Sequence, residues 1–300
     1  MIPSFPKFKK IELSDVDDVK KITQKYPPYS DFNFSNIWSW DLKGEMGISI
    51  LNNNLVVQFT DYVNGNPLLS FLGDNMINET AKELITFSQT NFKTGILKLV
   101  PEMITESLDK SEFDTAPDRD SYDYVYSVDD LANLDSWPKN SLSKGIRQFT
   151  KKYPHYIVKY SSIKEIATDE YLEMFKRWAK NKKIENHFEF NEYKAFERML
   201  QIKDESIKII SLYLDNILIG FTLFEIMPDG HALSHFAKAD TTHCSSVYST
   251  LNWEEAKIFK KHGIKYYNWQ QDLGVQGMRN SKIKYKPVYF MKKFIVKKLT

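Results

Sequence analysis

The 300-residue sequence has a single cysteine, Cys244. One thiol excludes an intramolecular disulfide framework and a cysteine-based zinc site, and it suits a reducing compartment. Charge of one sign is not in excess either. Lys and Arg total 41 against 39 Asp and Glu, a net charge of +2, so global charge demands neither a nucleic acid nor a membrane. Long apolar runs are missing: the longest, such as Ile217 to Phe224, are strand-length, far from the ~20 residues of a membrane span. The opening MIPSFPKFKKIELSD carries prolines and charges where a signal peptide needs an apolar stretch. These absences lead us to expect a soluble, cytoplasmic chain, with attachment to a membrane surface left open.

Aromatic residues are plentiful, with 20 Phe, 17 Tyr and 6 Trp. That supplies a sizeable core and argues against disorder. Charge is balanced overall but segregated. Acids dominate from Glu102 to Asp135, Ser136 to Lys164 contains no acid, and none follows Asp272. The two basic stretches are either solvated faces or the borders of one anion-binding groove.

Pattern and spacing predict an α/β chain. Asn52-Asn53-Asn54 separates two short strand patterns, and Asp215-Asn216 separates Ile207–Leu214 from Ile217–Glu225; both are hairpin signals. Helices are expected over 79–89, 141–152, 169–180 and 248–262, the last stopped by Gly263. Strands are expected at 96–100, 122–126, 231–236, 266–269 and 288–296. Each half thus has helices, a meander, a helix, a strand and a final strand. That is the element order of a GNAT-type acyltransferase. Two tandem GNAT-like domains, each a mixed central sheet flanked by helices, would account for the length. The expected domains are 1–127 and 128–300, the second carrying the active site.

The segment Asn268 to Lys282 runs from a strand into a loop with Asp272, Gly274, Gly277, Arg279 and Lys282. Strand ends leading into loops are where α/β sheets place their sites. The glycines would let backbone amides approach a ligand, and the cations could hold phosphate or carboxylate. Acyl transfer to an amine needs a base and a stabilised oxyanion. Asp272 is one candidate base, unless it only caps its loop. Glu225 is the other, unless it is an exposed strand residue. Lys144 and Arg147, roughly one helical turn apart, could meet phosphate from one face, or be solvated surface. Cys244 beside His243 is a weak nucleophile pair, because adjacent residues do not face each other. His231, His235 and His243 match no standard metal site, and no metal is expected. The aromatics between Tyr26 and Trp40 are core or, less simply, a base-stacking surface.

Tyr266 to Pro287, YYNWQQDLGVQGMRNSKIKYKP, resembles the C-terminal signature of a bacterial family, the phosphatidylglycerol lysyltransferase C-terminal domain family with its soluble relatives. Tyr26 to Trp40, YPPYSDFNFSNIWSW, resembles the N-terminal signature of those relatives. The resemblance implies a tandem GNAT-like fold shared with Fem-type aminoacyltransferases, and transfer of an aminoacyl group from aminoacyl-tRNA to a hydroxyl or amine. Leu273-Gly274 and the run Lys282, Lys284, Tyr285 and Pro287 match the family pattern, which implies substrate binding there. The lysyltransferases carry an Asp and an Arg three residues apart on a strand; His235 and Lys238 stand in those places here, which puts recognition of a lysyl group in doubt. The family's membrane-spanning half has no counterpart in this chain. An acyl-CoA enzyme would have a glycine-rich turn before the helix at 248–262, but Thr241 to Val247 contains no glycine. Ser245 and Ser246 could still donate hydrogen bonds to a CoA pyrophosphate. The expected function is aminoacyl transfer from charged tRNA to a peptide, small amine or lipid headgroup, with no permanently bound cofactor. The alternatives are an acyl-CoA-dependent N-acyltransferase and a non-catalytic module binding tRNA or protein.

Overall fold

The computed structural model describes residues 1–61, 64–182, 187–242 and 244–299. His243 lies outside the described residues. The chain forms two compact units, one of residues 1–124, 271–283 and 290–300, the other of 125–270 and 284–289. The division expected between residues 127 and 128 follows chain order, whereas two late segments, 271–283 and 290–300, return to the first unit.

The first unit begins with β1 (Lys9–Lys10), α1 (Val16–Thr23) and α2 (Phe34–Trp40). The meander β2 (Gly47–Leu51), β3 (Asn54–Thr60) and β4 (Pro67–Leu72) follows. Asn52 and Asn53 turn between β2 and β3 with φ of 51° and 63°, the backbone of a type I′ hairpin, which asparagine tolerates better than most residues. Next come α3 (Ile77–Asn91), β5 (Ile96–Pro101), α4 (Glu102–Thr105) and β6 (Phe113–Pro117).

The chain passes through β7 (Asp123–Ser127) into α5 (Val128–Ala132), α6 (Ser141–Lys152), β8 (Ile157–Ser162), α7 (Thr168–Asn181) and α8 (His187–Met199) of the second unit. There β9 (Ile207–Leu214), β10 (Ile217–Ile226) and β11 (His231–Ala239) form the meander, followed by α9 (Val247–Lys261) and β12 (Tyr266–Asn268). The tail holds α10 (Gln276–Lys284), β13 (Tyr289–Met291) and β14 (Lys293–Lys298).

The described residues form three sheets, in the orders β1-β2-β3-β4, β5-β14-β6 and β13-β7-β12-β11-β10-β9-β8. The strand expected to close the first half, β7, instead pairs antiparallel with β12 in the second unit, Tyr126 opposite Tyr267. The strand expected to end the second half is two strands, and β14 lies between β5 and β6, Phe294 opposite Val100 and Pro117. Val296 of β14 is buried in the first unit's core with Val56, Phe71, Leu84 and Leu97. Burying one apolar face of β14 in that core fixes its register.

Candidate functional site

In the second unit β11 and β12 run parallel but pair over only three positions, ending at Leu233 opposite Asn268. β11 continues to Ala239, supported by β10 as far as the Gly220–Ala239 pair. The β10–β11 register shifts between Leu223, opposite Phe236, and Phe224, opposite Ser234, so His235 is an extra, bulged residue. A bulge bends its strand and re-aims a side chain. Among the described residues no strand pairs with the β12 side of β11 beyond Leu233, so β11 and β12 diverge there. Gln270 bridges the start of the divergence: its amide donates to Asn268 Oδ1 at 2.7 Å and its side-chain Nε2 donates to the Ser234 carbonyl.

Glu225 and His235 meet at this bulge. Glu225 is 1% exposed, so it is not the exposed strand residue that alternation also allowed. Its Oε1 accepts from Ser206 Oγ at 3.2 Å and its Oε2 lies 3.5 Å from His235 Nε2.

Further along β11, Phe236 and Lys238 point to the face covered by α7 and α8. Phe221, opposite Lys238, packs there on Tyr171 and Phe196. Lys238 is 5% exposed. Its ammonium pairs with Glu192 at 2.6 Å and lies 4.1 Å from the Trp178 ring centroid and 4.9 Å from that of Phe175. On the opposite face, burial holds the Glu255 carboxyl well above the usual carboxylate range, and it accepts the Tyr267 hydroxyl at 2.9 Å.

The turn into α9 is crowded where a pyrophosphate would need open amides. The Val247 amide donates to the Cys244 carbonyl at 3.3 Å. A side chain at Gly145 of α6 would place its Cβ 2.8 Å from Ser246 Cβ, so two elements touch at a position only glycine allows. Ser246 is buried with its hydroxyl 2.9 Å from Cys244 Sγ, while Ser245 is exposed. Lys144 and Arg147 are both exposed on α6, and Arg147 donates to Ser143 Oγ at 2.5 Å and to the Asp135 carbonyl.

A second charged cluster lies in the first unit. Lys293 is fully buried between Asp123, at 2.7 Å, and Asp31. Ser30 donates from its amide and hydroxyl to Asp123 at 2.9 and 2.6 Å, and Gln271 Nε2 donates to Asp31 at 3.3 Å. Burial lowers the Lys293 ammonium, but Asp123 and Asp31 outweigh it and hold it above the ordinary lysine value. Asp31 is raised, burial outweighing Lys293. Beside them Lys282 donates to the Gln271 carbonyl at 2.8 Å and sits 5.4 Å from the Tyr124 ring centroid. The residue as a whole is half-buried, but its ammonium end is enclosed, and burial lowers it to about 7 against the pull of Asp123 and Asp272.

Asp272 is fully buried and accepts four hydrogen bonds, from Tyr124 Oη, the Gly274 amide, and Arg279 Nε and Nη2. Burial raises it, but the bonds from Arg279 and Tyr124 outweigh that and hold it below the ordinary carboxylate value. A carboxylate held in this way is a poor proton acceptor. Arg279, expected to hold a ligand anion, is already shared by Asp272 and Asp120, the latter at 2.6 Å. The expected open loop also has a different form. Gly274, at φ +73°, makes room for Asp120, whose Oδ2 would lie 2.8 Å from a Cβ, and Gly277 sits inside α10. Lys284 is exposed, while Tyr285 is buried against Trp269 at 4.8 Å, and burial pushes its phenol up to about 12.

The structure therefore brings Glu225 and His235 together, and separately Asp272, Arg279 and Lys282. Sequence reasoning missed Asp31, Asp123 and Lys293. Asp31 lies within the Tyr26 to Trp40 motif, which was the available signal. Lys293 lies in a basic tail that reads as solvated.

Diverging parallel strands, a bulge at the divergence and a helix-covered meander define the GNAT class of acyltransferase fold. A family comparison carries this further. Residues 23–297 match the family described as Phosphatidylglycerol lysyltransferase, C-terminal, and the chain belongs to that family. No curated protein sequence matches it. Among solved structures, a conserved protein of unknown function from Bacteroides thetaiotaomicron VPI-5482 is similar at 24% identity, with all of both chains covered and a TM-score of 0.83. L-PGS from Bacillus licheniformis is similar at 11% identity, covering 99% of this chain and 93% of that one, with a TM-score of 0.60. A tandem GNAT protein from the clavulanic acid biosynthesis pathway is similar at 10% identity, covering 97% and 98%, with a TM-score of 0.51. The fold is a tandem GNAT-like α/β fold. Among the described residues no helix is long and apolar enough to cross a membrane.

Proposed function

We propose that this chain transfers an aminoacyl group from aminoacyl-tRNA to an amine or hydroxyl acceptor, at the divergence of β11 and β12 in the second unit. The observation that carries this reading is the early end of β11–β12 pairing beside the bulged His235 and the buried Glu225. His235 takes the proton of the attacking amine or hydroxyl, and Glu225 stabilises the resulting imidazolium. Backbone amides of β11 beyond its pairing with β12 stabilise the oxyanion. The ester bond to the tRNA ribose breaks, the new amide or ester forms, and the imidazolium returns its proton to the ribose hydroxyl. His235 and Glu225 side chains are shielded from solvent, so they act only on a substrate that has entered the divergence, which limits hydrolysis of the donor.

The crowded turn before α9 disfavours CoA as donor. The family name and the likeness to L-PGS favour an aminoacyl donor. The test is binding of charged tRNA, uncharged tRNA and acetyl-CoA at two salt concentrations. Preference for charged tRNA supports the reading. Binding of acetyl-CoA alone overturns the donor, and salt-sensitive tRNA binding indifferent to the aminoacyl group favours a non-catalytic module.

A further inference from the structure

The environment of Lys238 is that of a bound ligand. Its ammonium lies over the Trp178 ring at 4.1 Å, beside the Phe175 ring at 4.9 Å, and 2.6 Å from Glu192 Oε1. Aromatic faces plus a carboxylate are the chemistry that recognises a primary or quaternary ammonium. Three separate elements supply it: Phe175 and Trp178 from α7, Glu192 from α8 and the occupant from β11. Lys238 extends from the part of β11 that has left β12, and it shares a sheet face with Phe236 and with Phe221 and Glu225.

We infer that Trp178, Phe175 and Glu192 form an ammonium-recognition pocket that the chain fills with its own Lys238, and that this excludes donors whose acyl group carries a cationic side chain. The inference rests on the reading that the acyl group enters the β11–β12 divergence; it adds that the accepted acyl group is uncharged at its side-chain end. A cationic group entering this face meets an acid already paired and rings already covered, next to a positive charge. Placing a second ammonium there costs like-charge repulsion and desolvation with no carboxylate left to offset them. A neutral group entering the same face meets no like-charge repulsion from Lys238 and brings no second ion to be desolvated.

Two readouts separate the pocket from the transfer reaction. Lys238→Ala removes three carbons and the ammonium, the shape of propylammonium. The expected result is a rise in the melting temperature of Lys238→Ala that grows with the logarithm of the propylammonium concentration, about 2 °C at ten times the dissociation constant. Wild type, Lys238→Met and Lys238→Ala with Glu192→Gln should not respond, and 1-propanol should not replace the ammonium. If Lys238→Ala does not fold, Lys238→Ser serves for the same measurement. A response in wild type, or equal responses with and without the Glu192 carboxylate, overturns the pocket.

The second readout compares alanyl-tRNA with lysyl-tRNA as donors. Wild type should prefer the alanyl donor by at least tenfold, and Lys238→Ala should narrow that preference. Wild type using both equally overturns the exclusion. If neither donor is used while propylammonium still binds Lys238→Ala, the aminoacyl reading fails and the pocket stands.

Discussion

Two of the buried charged clusters, one in each unit, are built differently. In the first unit, Lys293 lies between two carboxylates, Asp31 and Asp123, which are also bonded to Ser30 and Gln271. Nearby Asp272 is saturated by Arg279, Tyr124 and the Gly274 amide. These contacts join residues from 30 to 293 along the chain, so their geometric consequence is to fix distant segments in one unit. In the second unit, Glu225 and His235 approach at a looser 3.5 Å, next to the part of β11 beyond its pairing with β12. A cluster of short charge-assisted bonds resists change, whereas the longer Glu225–His235 approach sits at a bulge where β11 leaves β12. On the proposed function, the first acts on stability and the second on transfer.

The largest expected effect breaks the first cluster. Lys293→Met leaves Asp31 and Asp123 buried without their cation and should cost about 3–5 kcal/mol, measured by denaturant unfolding. Glu225→Gln should leave stability within about 1 kcal/mol. The converse prediction is for transfer. His235→Gln should lower the single-turnover rate about 10²–10³-fold with little change in melting temperature. Equal losses of stability and rate in both variants would erase the distinction between the regions.

Smaller effects sharpen it through pH. Asp272 has a folded pKa below its ordinary value. It therefore contributes stability that is present above pH ~4 and is lost as pH falls through the folded value. Arg279→Ala should cost about 2 kcal/mol at neutral pH and flatten that acid limb. Lys282 adds a second window of the same sign at higher pH, with its folded pKa lowered to about 7. Between about 7 and the ordinary lysine value near 10.4, the unfolded chain binds more protons, so stability rises with pH. Lys282→Met should flatten that slope in unfolding measured from pH 7 to 10. The smallest expected effect is at the surface. Lys144→Ala or Lys284→Ala should change stability by less than about 0.5 kcal/mol.

Local chemistry was legible in the sequence. Asn52-Asn53 and Asp215-Asn216 read as tight turns, and all four residues have positive φ. The helix expected over 141–152 is α6, with Asn140 capping it through the Leu142 amide. The tandem GNAT-like order was readable because each half repeats meander, helix and strand. What was not legible depends on contacts distant in sequence. Nothing local in Tyr122–Tyr126 says that it pairs with β12, and nothing in the tail says that β14 lies between β5 and β6. The helix α10 was hidden by Gly277, which lowers helix propensity without forbidding it.

The candidate site was legible only in part, for the same reason. Glu225 and His235 each drew attention singly, but the bulge that brings them together comes from a register shift between strands. Arg279 and Lys282 read as ligand-binding cations because their acidic partner Asp120 and their neighbour Tyr124 lie far away in the chain. Lys293 looked like one more cation of a solvated tail until Asp31 and Asp123 were placed around it.

The most direct test of the central claim is a single-turnover transfer assay with aminoacyl-tRNA and a mixture of amine and hydroxyl acceptors, comparing wild type, Glu225→Gln and Arg279→Ala as folded proteins. The prediction is product from wild type, a loss of about 10²-fold or more in Glu225→Gln, and a rate within about threefold of wild type in Arg279→Ala. Full activity in Glu225→Gln with activity abolished in Arg279→Ala would contradict it, and would move the reaction to the Asp272 cluster of the first unit.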